Sequence, residues 1–218
     1  MRKLALVIFV LSLSLLAKAQ DDEQKYLASD ARIEVSGFGG VISEMALINK
    51  TFSFSTGGGG ALLLDRRFFI GGYGLGLSTN RFFTDYPGHI GDKLRLNFGH
   101  AGVWLGYIYR PSKRIHFGIS GRGGWGSLQL TDENKNQNNE VDNTNDNVFV
   151  IAPQIEAEVN ILPWLKFNIG MGYRYVSGID NETYKTLTFN GPAFTAGLFF
   201  GGFGDESGPV NDDDQGGN

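Results

Sequence analysis

Three histidines, His89, His100 and His116, are the side chains of this sequence that ordinarily titrate near neutrality. Nucleophilic catalysis needs such a base within hydrogen-bond reach of a hydroxyl or thiol. Cysteine is absent, His89 lies in a Pro-Gly segment, and "FGHAGVW" around His100 holds no serine. His116 and Ser120 fall on one face of an extended segment, but four residues along a strand span roughly 13 Å at about 3.3 Å each. No triad is assembled, and an enzyme is not expected. Metal chemistry fares no better. Asp132, Asn134 and Asn136 imitate the opening ligands of a calcium loop, yet Gln137 stands where that loop needs Gly and Asn143 where it needs Glu. A solvated surface loop explains the stretch, and neither metal nor other cofactor is expected.

The remaining chemistry is a set of charges at alternate positions. His116, Gly118, Ser120 and Arg122 alternate with Ile115, Phe117 and Ile119; Gln154, Glu156, Glu158 and Asn160 alternate with Ile155, Ala157, Val159 and Ile161; Lys166, Asn168 and Arg174 alternate with Leu165, Phe167, Ile169, Met171, Tyr173 and Tyr175. A period of two separates the faces of a β-strand, so these charges share the polar face of three successive strands. Closing a hairpin about a loop centred near residue 139 sets Arg122 opposite Glu156 and Ser120 opposite Glu158, and brings Lys166 and Asn168 close to Glu158. An enclosed charge needs a partner. The expectation is an interior polar network of Arg122, Glu156, Glu158, Lys166, Asn168, Arg174 and His116; the alternative is an ion path lined by the same residues.

Eight segments carry the strand pattern, at about residues 33–42, 52–64, 68–79, 94–109, 115–130, 148–161, 165–177 and 187–203. Asp65-Arg66-Arg67, Arg110 to Arg114 and Leu162-Pro163-Trp164 are short connections, whereas "SEMALINKT", "NRFFTDYPGHIGDK", "TDENKNQNNEVDNTNDN" and "GIDNETYKT" are long and polar. This alternation predicts an all-β fold, an eight-stranded antiparallel up-and-down transmembrane β-barrel with short periplasmic turns and long extracellular loops. Tyr107, Tyr109 and Trp164 beside the short turns, with Tyr173 and Tyr175 toward the other end, supply the aromatic girdles. In "GGGGALLLDRRFFIGGYGLGL" the pattern places Gly72, Gly74 and Gly76 inside a narrow barrel, with Tyr73, Leu75 and Leu77 toward lipid. The last strand admits two registers, with either Phe194, Leu198 and Phe200 or Phe199 and Phe203 outward. A secreted, soluble lipocalin-like barrel with an apolar lumen is the water-soluble alternative.

Composition bounds the partners. The 218 residues include 32 Gly, 17 Phe and 8 Tyr. Arg2-Lys3, the apolar run Leu4 to Leu16 and Ala17-Lys18-Ala19 have the form of a secretory signal peptide over residues 1–19. Its removal takes away three basic residues and moves the formal charge from −4 to −7, so nucleic acid is not an expected partner. Residues 20–30 read as a periplasmic linker, 31–203 as the barrel, and the acidic 204–218 as a disordered periplasmic tail.

The A-x-A leader, the eight amphipathic segments, the glycine-rich hairpins and the last strand "AFTAGLFFGGF" resemble small outer-membrane β-barrel proteins of the OmpX and OmpA-transmembrane-domain type. The resemblance covers about residues 31–203 and is architectural. One departure is that Phe203 is followed by a further fifteen residues, where many such proteins end on the last strand. The resemblance implies residence in the bacterial outer membrane, contact with its lipid, and insertion by the barrel assembly machinery. The function expected is a structural or interaction role in the cell envelope, through surface recognition or as an accessory subunit with envelope protein partners. A small-solute channel or a lipid-modifying barrel enzyme is the alternative.

Overall fold

The computed structural model describes residues 33–86, 89–132, 145–185 and 187–203. Nine strands and one short helix follow in order: β1 Val35–Ile48, β2 Thr51–Leu64, β3 Phe68–Leu77, β4 Phe82–Tyr86, β5 His89–Tyr109, β6 Ile115–Asp132, β7 Asp146–Leu162, β8 Leu165–Ser177, α1 Glu182–Lys185 and β9 Gly191–Gly201. Each strand pairs antiparallel with its neighbours in the order β3-β2-β1-β9-β8-β7-β6-β5-β4, and β3 also pairs with β5. That last pairing closes the sheet. β4 pairs with the part of β5 that runs beyond the end of β3, Phe82 opposite Arg95 and Tyr86 opposite His89, so β3 and β4 are one stave interrupted at residues 78–81. The result is the expected closed, up-and-down barrel of eight staves.

Two expected loops turn out to be strand. "SEMALINKT" forms the second half of β1, which runs to Ile48 and turns into β2 through Asn49 and Lys50 at φ 48° and 63°. Two successive left-handed residues make the turn that suits the twist of a β-hairpin. "NRFFTDYPGHIGDK" is largely β4 and the start of β5. One end of the barrel carries the short connections 65–67, 110–114 and 163–164. The other end carries one tight turn and the longer connection 178–190, which holds α1. The expectations for residues 1–32, for the loop at 133–144 and for the tail 204–218 lie outside the described residues.

Period-two alternation sets the faces as expected in β5 to β8. Val103, Leu105, Ile119, Ile155, Ile169 and Met171 point outward, each about half exposed, while Trp104, Ser120, Arg122, Glu156, Asn168 and Arg174 point inward and are buried. Tyr109 and Trp164 stand exposed by the short turns, and Tyr173 and Tyr175 face outward on β8. The last strand takes the first of its two registers, with Phe194, Leu198 and Phe200 outward and Phe199 inward.

In β3 the expectation is reversed. Phe69, Tyr73 and Leu75 are buried in the lumen, and Gly72, Gly74 and Gly76 sit on the outer face. The interior must be filled on every wall, and on this one Phe69, Tyr73 and Leu75 supply the large side chains. Interior glycine lies elsewhere: the Phe69 ring covers Gly106, its ladder partner on β5, occupying the space a side chain there would need.

Two apolar clusters cap the lumen. Phe38, Ile42, Leu63, Phe69, Trp104 and Phe199 pack near the short-turn end; Ile48, Leu94, Phe98, Leu130, Tyr184 and Phe189 pack near the other. Glu44 lies on β1 between Ile42 and Ile48, and His100 on β5 between Phe98 and Trp104. A polar layer therefore separates the clusters.

Candidate functional site

That layer begins with Glu44, which β1 aims inward between two core residues and which has no solvent exposure. Its Oε2 accepts a hydrogen bond from Arg122 Nη2 at 2.7 Å, and its Oε1 accepts one from Arg174 Nη1 at 3.1 Å. One carboxylate thus bridges guanidiniums from β6 and β8 across the lumen. Arg174 also donates from Nε to Phe189 O at 3.2 Å and from Nη2 to Leu47 O at 3.0 Å. Both guanidiniums lie over aromatic rings, Arg122 5.6 Å from the centre of Tyr73 and Arg174 5.3 Å from that of Phe98, a placement that favours a cation. Tyr73 Oη and His100 Nδ1 are 3.1 Å apart in the same layer.

A second cluster sits toward the short turns. Glu158 Oε2 lies 2.7 Å from His116 Nε2 and 3.6 Å from Lys166 Nζ, and its Oε1 accepts from Asn168 Nδ2 at 3.1 Å. His116 Nδ1 is 3.0 Å from Lys113 O; a carbonyl only accepts, so Nδ1 donates there and the other ring nitrogen faces the carboxylate. Lys166 Nζ stands 4.2 Å above the Phe203 ring. Between the clusters, Glu156 accepts from Ser120 Oγ at 2.6 Å and from the Gln154 side-chain amide. Gln154 Oε1 in turn accepts from Arg122 Nη2 at 3.2 Å, and Trp104 Nε1 donates to Ser120 Oγ at 3.2 Å.

All seven residues singled out in the sequence have buried, inward-facing side chains, but the expected partnership of Arg122 with Glu156 is not formed. In the β6–β7 ladder Arg122 lies opposite Ala152, Ser120 opposite Gln154 and His116 opposite Glu158. The hairpin is centred two residues earlier than expected. That moves the pairing by four residues, an even shift that keeps every side chain on its face and changes its neighbours, so Arg122 finds Glu44 and Glu158 finds His116. Lys166 and Asn168 do lie beside Glu158. Sequence reasoning missed Glu44, because its segment read as a loop. The available signal was Ile42, Glu44, Ala46 and Ile48 at alternate positions.

The chemistry of this arrangement is that of a filled, paired interior. Ser120 is bonded to Glu156, Gln154 and Trp104, and His116 to Glu158 and a backbone carbonyl, so the imidazole and the hydroxyl have separate partners. Among the described residues no group of three or more His, Asp or Glu is placed to hold a metal ion.

No protein-family model matches the chain, and no curated protein matches it. Among solved structures, a major outer membrane protein from Thermus thermophilus aligns over 76% of this chain and 99% of its own, at 7% identity and a TM-score of 0.49. Neisserial surface protein A aligns over 78% and 99%, at 8% identity and a TM-score of 0.48. Ail, the attachment invasion locus protein of Yersinia pestis, aligns over 78% and 99% in a complex with the heparin analogue sucrose octasulfate, at 12% identity and a TM-score of 0.45.

Proposed function

We propose that this chain is an integral protein of the bacterial outer membrane whose packed lumen makes it a structural or interaction element of the cell envelope. The observation that carries the reading is the contrast between its surfaces. Val41, Leu62, Ile70, Leu105, Ile119 and Ile155 are about half exposed or more on the outer wall, while Glu44, Arg122, Arg174, His116, Glu158 and Lys166 are buried within. Water penalises such an exterior and lipid does not. A soluble lipocalin-like barrel needs the opposite arrangement. The closed ladder satisfies the backbone without water, the condition for crossing a bilayer with strands.

The interior argues for display over conduction. Arg122, Glu44 and Arg174 span the cross-section as a bonded triad, and apolar clusters close it on both sides. Partners then meet the barrel at its loops, its lipid-facing wall or its termini. Insertion falls to the barrel assembly machinery, and envelope proteins are the partners expected. The test is expression with the native leader, membrane fractionation and planar-bilayer recording of the purified protein. The expected result is an outer-membrane, heat-modifiable band that yields no single-channel steps. Recovery in the soluble fraction would overturn the location, and reproducible conductance would overturn the filled lumen.

A further inference from the structure

The Glu44 triad is not electrically balanced. Two guanidiniums share one carboxylate, leaving a surplus positive charge, whereas Glu156 is bonded only to neutral groups and has no cation within ion-pair distance among the described residues. Between these two unbalanced groups the lumen holds a small cavity. Arg122, Gln154, Glu156, Asn168 and Thr195 line it on the polar side, and Trp104 and Phe199 on the apolar side. It has room for the centre of one water-sized sphere, about 10 Å3. Arg122 is 2% exposed, and its Nε and Nη1 find no acceptor among the described residues.

Buried guanidinium donors are seldom left without acceptors, because each forgoes the hydration it had in water. A cavity of about this size holds a single water when two or more polar groups face it. We propose that this cavity is a binding site for one ordered water molecule, which accepts from Arg122 and donates to Glu156. Charge selects this ligand over the alternatives. An anion would sit against the Glu156 carboxylate and a metal cation against the Arg122 guanidinium, while water offers an acceptor to one and a donor to the other.

The bridge has a structural consequence. Gln154 already links Arg122 to Glu156 on one side, and Asn168, which donates to Glu158, lines the same cavity as Glu156. With the water in place, a polar chain runs from Phe189 O at the loop end through Arg174, Glu44, Arg122 and the water to Glu156, and Asn168, on the same cavity wall, leads on to Glu158, His116 and Lys113 O at the turn end. The two clusters become one network. The water site belongs to the interior alone and stands whichever membrane the barrel occupies.

The experiment is solution NMR of the full chain refolded in detergent micelles, with 15N-labelled arginine and the Arg122 Nε–H resonance assigned from its loss in Arg122→Lys. The expected result is a cross-peak from that proton to water, with the sign of a long-lived bound molecule, retained in Glu156→Gln and lost in Glu156→Met. An observed Nε–H resonance with no water cross-peak would overturn the proposal. So would a resonance erased by exchange with bulk solvent, since Arg122 and Glu156 are buried. The wild-type spectrum decides the matter by itself should Glu156→Met fail to fold.

Discussion

Glu44 is the residue whose removal tests the account of the lumen most sharply. Its two oxygens are bonded to Arg122 at 2.7 Å and Arg174 at 3.1 Å, and none of the three side chains is more than 2% exposed. In Glu44→Ala both guanidiniums stay buried, lose their shared anion and face each other across the space it filled. Breaking a buried pair by removing one partner costs about 3–5 kcal/mol, and orphaning two cations places the expectation at the upper end of that range. Each 1.4 kcal/mol is a factor of ten, so the folded-to-unfolded ratio falls by about three to four orders of magnitude relative to wild type. Glu44→Gln keeps the shape and one acceptor, and loses a charge-assisted bond worth about 1.5–3 kcal/mol. The triple replacement Glu44→Leu, Arg122→Met, Arg174→Leu removes all three charges together and is expected to recover most of the loss, because an apolar core of similar volume replaces the desolvated ions. Reversible urea unfolding from lipid vesicles, followed by the fluorescence of outward-facing Trp125 and Trp164, measures the series. A Glu44→Ala cost below about 1 kcal/mol would refute the reasoning by showing the pairs near neutral for stability. A triple variant no more stable than the single would refute it by showing that packing, rather than charge, is what Glu44 supplies.

Two further outcomes follow from the wall and the rim. Ile155 lies midway along β7 on the outer face and is exposed. In the same unfolding assay Ile155→Arg is expected to destabilise by about 2–4 kcal/mol and Asn147→Arg, near the end of the strand, by under about 1 kcal/mol; equal effects would count against a bilayer around this wall. At the rim, Asp146 Oδ2 accepts from the backbone N–H groups of Asp180 and Asn181 at 3.0 and 2.9 Å, which fixes the entry to α1 over the barrel mouth. Asp146→Ala is expected to cost about 1 kcal/mol, as the loss of a helix cap does, and to speed protease cleavage within residues 178–190; an unchanged cleavage rate would show that the connection is held by Tyr184 and Phe189 alone.

Side-chain face was legible in the sequence wherever one face was charged. In β6, β7 and β8 a single charge at Arg122, Glu156 or Lys166 fixes which parity is inward, and the structure follows it. In β3 neither face carries a charge. Gly72, Gly74 and Gly76 alternate with Tyr73, Leu75 and Leu77, and the assumption that small residues belong inside and apolar ones in lipid gives the wrong parity. What decides it lies on other strands: the space beside Trp104 and Arg122 has to be filled, and Phe69 and Tyr73 fill it. Strand length was hidden for a local reason. Asn49-Lys50 lacks the glycine that marks most two-residue hairpins, so β1 lost its second half and Glu44 with it.

Register was the part that period-two alternation could not supply. A slip of β6 against β7 by four residues leaves every apolar side chain outward and every charge inward, so the hydrophobic pattern is equally satisfied by both alignments. Lipid contact does not separate them either, since the outer surface is the same. The difference lies inside, where the observed alignment gives Glu158 its His116 and leaves Arg122 free to reach Glu44. Arg122 and Glu44 are 78 residues apart in sequence, and Arg174 and Glu44 are 130 apart. The slipped barrel sets Arg122 against Glu156 instead, but it leaves Glu44 with Arg174 alone and puts Ser120 in place of His116 opposite Glu158, so it is penalised by the buried ion pairs it removes. The ion pairs that the sequence pattern placed on the right face, without their right partners, are therefore the interactions that discriminate between two otherwise equivalent barrels. In Glu44→Ala that penalty no longer separates the two alignments on the Arg122 side. Disulfide trapping between cysteines placed at Gly121 and Pro153, opposite each other in β6 and β7, is expected to be efficient in the wild-type background and to decline in Glu44→Ala, with trapping between positions 121 and 157 rising as the slipped register becomes populated.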